Sequence, residues 1–87
     1  MPMAVDVRIT PEALQQLDRL HEPILTRVNG IIERLEDWPE VSGAKPLRGN
    51  LKGSFRVRTG DWRIIFRVSG DVLMITSISN RRDVYEE

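Results

Sequence analysis

The chain is predicted to be a small α+β domain in the order β-α-α-β-β-β, a twisted and mostly antiparallel sheet with a helical hairpin packed on one face. Three observations predict it. Period-two apolar alternation occurs near the start and again through the second half, whereas residues 11–35 follow helical spacing. Two of the alternating runs are separated only by Gly60-Asp61, which marks a tight hairpin. With 87 residues, 40% hydrophobic and 30% charged, the chain suits one modest core, so residues 1–87 read as one domain.

AVDVRI (4–9) alternates Val5, Val7 and Ile9 with Asp6 and Arg8, a half-buried strand. Thr10-Pro11-Glu12 is a helix start, with a hydroxyl cap, proline in the first turn and an acid favouring the helix dipole. Leu14, Leu17 and Leu20 are expected to be that helix's buried stripe, with Ala13 beside them. His21-Glu22-Pro23 breaks the helix and opens a second, whose Ile24, Leu25, Val28, Ile31, Ile32 and Leu35 recur at helical spacing. Gly30 within it suggests close packing of a neighbour. Trp38-Pro39 ends the helix and PEVSGA (39–44) is loop.

KPLRGNLKG (45–53) reads as a short strand plus loop, because proline and two glycines punctuate it. SFRVRT (54–59) and WRIIFRV (62–68) are strands joined by a type II′ turn with Gly60 first. After Ser69-Gly70-Asp71, VLMITSI (72–78) is the last strand, and SNRRDVYEE is a polar tail.

The two-residue turn fixes the register of the hairpin. Thr59 then faces Trp62, Arg58 faces Arg63, Val57 faces Ile64, Arg56 faces Ile65 and Phe55 faces Phe66. Phe55, Val57, Trp62, Ile64 and Phe66 share one side, which must be the core. Arg56, Arg58, Arg63 and Arg67 share the other. Directly opposed like charges destabilise a sheet, so a hairpin selected only for stability would not set arginine against arginine. A solvated face whose arginines meet acids from elsewhere, such as the tail, is the plain alternative. An anion site is the functional one: guanidinium forks hold phosphate bidentately and stay charged at any accessible pH. On either reading Arg63 is expected to be a surface residue whose truncation leaves no cavity.

The whole-chain charge conceals this pattern. Thirteen basic and thirteen acidic residues cancel, yet Lys45, Arg48, Lys52, Arg56, Arg58, Arg63 and Arg67 are opposed between 45 and 67 only by Asp61. A local excess of six is mirrored by an equal acidic excess elsewhere, which describes a basic working face on an acidic body. Without cysteine there is neither a disulfide nor a Cys-based zinc site, and one histidine, His21, excludes a His–His ribonuclease mechanism and a two-histidine metal site. No metal or other cofactor is expected. RGNLKG lacks the GK[ST] ending of a phosphate-binding loop. No apolar run could span a bilayer as a helix, and MPMAVDVRIT has no hydrophobic export core, so a cytoplasmic location without membrane association is the expectation. Trp38 is read as core, Trp62 as core near the turn, and Asp61 as a turn residue. Arg81 and Arg82 follow the last strand and can curl over the arginine face, carrying Tyr85, a residue able to stack on a base or exchange a proton.

KPLRG (45–49), FRVRTGDWRIIFRV (55–68) and SNRRDVY (79–85) together resemble the RelE toxins of the RelE/ParE superfamily, the toxin halves of bacterial and archaeal toxin–antitoxin pairs. The resemblance implies a metal-independent endoribonuclease that enters the ribosomal A site and cuts mRNA there by attack of a ribose 2′-hydroxyl on its neighbouring phosphate. It assigns Arg63 and Arg81 to the transition-state phosphate, Arg56 and Arg58 to positioning and charge, and Tyr85 to base stacking and proton transfer. Lys45, Arg48, Lys52, Arg67 and Arg82 would bind RNA. The implied partners are a cognate antitoxin, in a toxin–antitoxin hetero-oligomer, and the ribosome with its mRNA. Two departures stand out. Relatives often carry lysine where this chain has Arg56 and Arg58, and histidine where it has Asn80. Arginine does not readily release a proton, so a general-base role for those lysines does not transfer. The alternatives are a ParE-like inhibitor of DNA gyrase and a basic binding module of little or no activity on the same scaffold.

Overall fold

A computed structural model describes residues 5–80. The strand β1 (Asp6–Ile9) leads into helix α1 (Pro11–Asp18) and helix α2 (Ile24–Arg34), followed by β2 (Lys45–Pro46), β3 (Ser54–Thr59), β4 (Trp62–Ser69) and β5 (Val72–Asn80). The five strands form one sheet in the order β1-β5-β4-β3-β2. All pairings are antiparallel except β1 with β5, which is parallel. The α+β expectation holds, with the short segment at Lys45 supplying a fifth strand.

Local chemistry explains the element boundaries. Thr10 caps α1 by accepting from the Ala13 N–H at 3.2 Å, and Pro11 occupies the first turn where no amide donor is needed. Glu22 caps the start of α2 by accepting from both the N–H and the hydroxyl of Thr26, at 3.0 and 2.6 Å. Gly60 sits at φ +60° while no non-glycine residue among the described ones has positive φ, so Asp61 keeps ordinary backbone and the turn has the type II′ character expected of glycine first. The β3–β4 register matches the sequence reading at every pair from Phe55–Phe66 to Thr59–Trp62.

The core lies between the helices and one sheet face. Val28, Ile31 and Leu35 from the α2 side meet Val57, Ile64, Phe66, Leu73, Ile75 and Ile78. Trp38 closes it, with edge-on contacts to Phe55 and Phe66 at ring-centroid distances of 4.8 and 5.2 Å. Aromatic pairs in this arrangement add to their burial.

Four expectations need correction. Leu14 is not in the buried stripe of α1: it is 46% exposed, and Ala13 is the fully buried residue of that helix. The helix is only eight residues long, and Leu20, which is buried, lies beyond its end. Gly30 has nothing within 4 Å of the place a Cβ would occupy, so no close neighbour explains it. The last strand also runs two residues beyond Ile78, to Asn80.

Candidate functional site

The face opposite the helices is built in cross-strand rows. Lys45, Arg56, Ile65 and Ser77 form one row, and Arg58, Arg63 and Ser79 form the next toward the hairpin tip. On the other side lie Ser54, Arg67 and Met74, with Arg8 of β1 continuing that row. A β-bulge between Ile65 and Phe66 of β4, opposite Thr76, keeps Ile75 and Ile78 in the core while Ser77 and Ser79 face outward. Thr76 spends its hydroxyl locally, donating to the Ile65 carbonyl at 3.2 Å. Without that extra residue β5 would slip by one and exchange its two faces.

The structure brings together Lys45, Arg56, Arg58, Arg63 and Arg67 on this face. It does not leave them equally exposed. Arg58, Arg67 and Lys45 are exposed, whereas Arg56 is 9% exposed and Arg63 only 5%. The surface character expected of Arg63 is therefore corrected. Part of the reason is an apolar floor: Ile65 and Leu47 are both buried yet lie outside the main core cluster. Ile65 stands in the arginine-face row, so the stems of neighbouring arginines have apolar surface to lie against while their charged ends turn elsewhere. The burial sets two guanidinium-bearing side chains into the face rather than on its rim.

The remaining assigned residues sort by distance from this centre. Arg48 and Lys52 are exposed on the loop around a short 3₁₀ turn at Gly49–Leu51. Gly53, at φ +96°, returns that loop to β3, and a Cβ there would lie 3.2 Å from the Arg67 guanidinium. Arg67 thus lies across the loop's end and joins it to the face. His21 is exposed, and Trp62 is half-buried on the core side, as expected of it. Arg81, Arg82 and Tyr85 lie outside the described residues.

Sequence reasoning missed the two serines beside the arginines. Ser79 stands directly opposite Arg63, and its hydroxyl is buried without a hydrogen-bond partner. Ser77 stands opposite Ile65. Reading β5 to Asn80 with its bulge would have placed both, but no local signal marks a bulge at Thr76. Among the described residues no group of three histidine, cysteine or acidic side chains could hold a metal ion. The acid of β1, Asp6, is engaged by Arg8 at 2.7 Å. No helix among the described residues is long and apolar enough to cross a membrane.

A small sheet with two helices on one face and a cationic face on the other makes this an α+β domain built around one charged surface, and the comparison with known families gives that domain its class. Residues 7–85 match the family described as ParE toxin of type II toxin–antitoxin system, parDE, and the chain belongs to it. Within that superfamily the similarity is to RelE-type toxins. Toxin RelG of Mycobacterium tuberculosis is 29% identical over 85 residues, covering 95% of this chain and 98% of the relative. The toxin–antitoxin complex RelBE2 of the same organism contains a chain 30% identical, with a TM-score of 0.77 over 90% of this chain and 99% of that one. The isolated Escherichia coli RelE toxin shares the fold, with a TM-score of 0.74 at 15% identity over 88% of this chain and 84% of that chain.

Proposed function

We propose that this chain is the toxin of a type II toxin–antitoxin pair and acts as a ribosome-dependent mRNA endoribonuclease. One observation carries the reading: the hairpin register holds Arg56, Arg58 and Arg63 side by side, with Arg63 buried. In the proposed reaction the ribose 2′-oxygen forms a bond to the adjacent phosphorus and the bond from phosphorus to the 5′-oxygen breaks. The 2′-hydroxyl gives up its proton and the departing 5′-oxygen gains one, leaving a 2′,3′-cyclic phosphate and a 5′-hydroxyl end.

The phosphate gains negative charge on the way. A preorganised cation is most effective there, because it need not reorient as the charge develops. Arg63 takes that role, with Arg81 from the tail. Arg56 and Arg58 position the strand and neutralise its charge, and Lys45, Arg48, Lys52, Arg67 and Arg82 extend the backbone contact. Tyr85 stacks on a base and takes part in proton transfer. The chemistry uses side chains and the RNA's own hydroxyl, with no cofactor, in the cytoplasm where ribosomes work.

The inhibiting partner is a cognate antitoxin. The solved relative RelBE2 is a toxin–antitoxin complex, as are the RelB–RelE structures from Methanococcus jannaschii and Pyrococcus horikoshii. A second reading has one observation in its favour. The matching family is described by its ParE members, so a gyrase inhibitor is the competing activity.

Brief expression followed by mapping of mRNA 5′ ends separates the two. New ends within translated codons, with supercoiling intact, support the ribonuclease. Loss of supercoiling with intact mRNA overturns it in favour of gyrase, and unaffected growth at confirmed soluble expression overturns both.

A further inference from the structure

β1 pairs with β5 only from Val72 to Ile75, and the last rung is the Thr10 N–H donated to the Ile75 carbonyl at 3.0 Å. The chain then turns into α1. Among the described residues no strand lies beside Thr76–Ser79 on that side, while β4 occupies the other. One group shows what this edge seeks. The Ile78 N–H points outward, and the Gln16 side chain of α1 accepts it at 2.7 Å. Gln16 presents a side-chain amide where a neighbouring strand would present a backbone carbonyl. The Ile78 carbonyl points the same way as its N–H, because both groups of a strand residue lie on one edge.

A cleft of about 400 Å³ opens along this edge. Gln16 of α1 and the residues just past that helix, Arg19 and Leu20, form one wall, and Trp62, Ser77 and Ile78 line the sheet side. Leu20 and Trp62 provide an apolar seat, and among the described residues of the lining Arg19 is the charged one.

We propose that this edge of β5 receives an extended, acidic segment of the antitoxin as an added strand, in line with β1. The inference rests on the antitoxin partnership proposed above and names its docking site. An edge offering alternating amide and carbonyl groups is complementary to another peptide backbone. A nucleic-acid strand fits poorly, since its phosphates would meet the outward carbonyl. A second copy of this chain fits poorly too, because each edge would bring an Arg19 and no acid among the described lining residues to meet it. An acidic segment instead pairs with Arg19, sets one apolar side chain between Leu20 and Trp62, and replaces Gln16 at the Ile78 N–H.

The test is backbone amide exchange of this chain alone and in complex with its co-expressed antitoxin. Within Thr76–Ser79 the outward Ile78 amide is expected to slow at least 100-fold in the complex. Gln16→Ala, which removes the competing acceptor, should tighten antitoxin binding about fivefold, and Arg19→Glu should weaken it tenfold or more and flatten its salt dependence. A complex that forms while Thr76–Ser79 exchange as in the free chain overturns the docking site and leaves the partnership standing. Protection that appears in the free chain as its concentration rises assigns the edge to a second copy, and protection by a single-stranded RNA oligonucleotide instead of the antitoxin assigns it to nucleic acid. Absence of any complex overturns the partnership and the site together.

Discussion

Arg58 and Arg63 face each other across the β3–β4 hairpin, yet Arg58 is exposed and Arg63 is only 5% exposed. The pair combines an exposed cation with a buried one. On the proposed reading, long-range attraction of a polyanion falls to the first, and holding one phosphate in place falls to the second.

Arg63→Ala should therefore affect both chemistry and folding. Losing a preorganised charge donor is expected to lower single-turnover cleavage on programmed ribosomes by about 100-fold or more. Truncating a buried, interacting side chain should also cost about 1–3 kcal/mol of stability, in place of the neutral effect a surface residue would give. Arg63→Met keeps the unbranched stem and should recover much of the stability and none of the cleavage. Thermal unfolding beside the cleavage assay decides this, and a Met variant that cuts like the parent would show the charge to be irrelevant.

Arg58→Glu should behave in the opposite sense. It replaces a repulsive cross-strand pair with an attractive one, so stability is expected to hold or rise by about 0.5 kcal/mol. Affinity for single-stranded RNA should fall at least tenfold by fluorescence anisotropy. Unchanged RNA affinity would remove the exposed row from the binding surface.

Gly53→Ala tests how the loop holds Arg67. Gly53 lies at φ +96° with the Arg67 guanidinium 3.2 Å from the added Cβ. The backbone strain should cost about 1–3 kcal/mol, and the displaced Arg67 should weaken RNA binding severalfold beyond what unfolding explains. Binding measured well below the variant's melting temperature isolates the second effect.

RNA binding should also be strongly salt-dependent. If Lys45, Arg56, Arg58, Arg63 and Arg67 each neutralise one phosphate, log K against log salt should have a slope of about −3 to −4 for a single strand. Arg67→Ala should flatten that slope by roughly 0.7. A shallow slope in the parent would mean that recognition is not of the phosphate backbone.

The hairpin was legible because Gly60-Asp61 leaves one register, and register fixes faces. Face is not depth, however. Parity placed Arg63 away from the core but could not reveal that Ile65 and Leu47 build a second apolar layer there, since Leu47 arrives from a loop whose path is not periodic. Leu14 was misjudged for a related reason: leucine spacing gives a stripe, while the orientation of an eight-residue helix is set by neighbours such as Ala13 and by the Gln16–Ile78 bond. The parallel pairing of β1 with β5 joins opposite ends of the described chain, and no local pattern encodes it. Within the candidate site, the arginines declared themselves by alternation. Ser79 did not, because its position depends on the bulge at Thr76.

The pairing of Asp6 with Val72 through Ile9 with Ile75 also sets an order of events during synthesis. Translation delivers β1 first and β5 last among the described strands, and β5 must enter between β1 and β4, both already made. Until it does, β1 has no place in the sheet and β4 lacks its neighbour on that side. The hairpin can form early, being local, but the scaffold that holds its arginines rigid waits for the final strand. On the proposed reading, a nascent chain is harmless through most of its elongation, and it gains its activity at the moment the β5 edge first exists to receive an antitoxin.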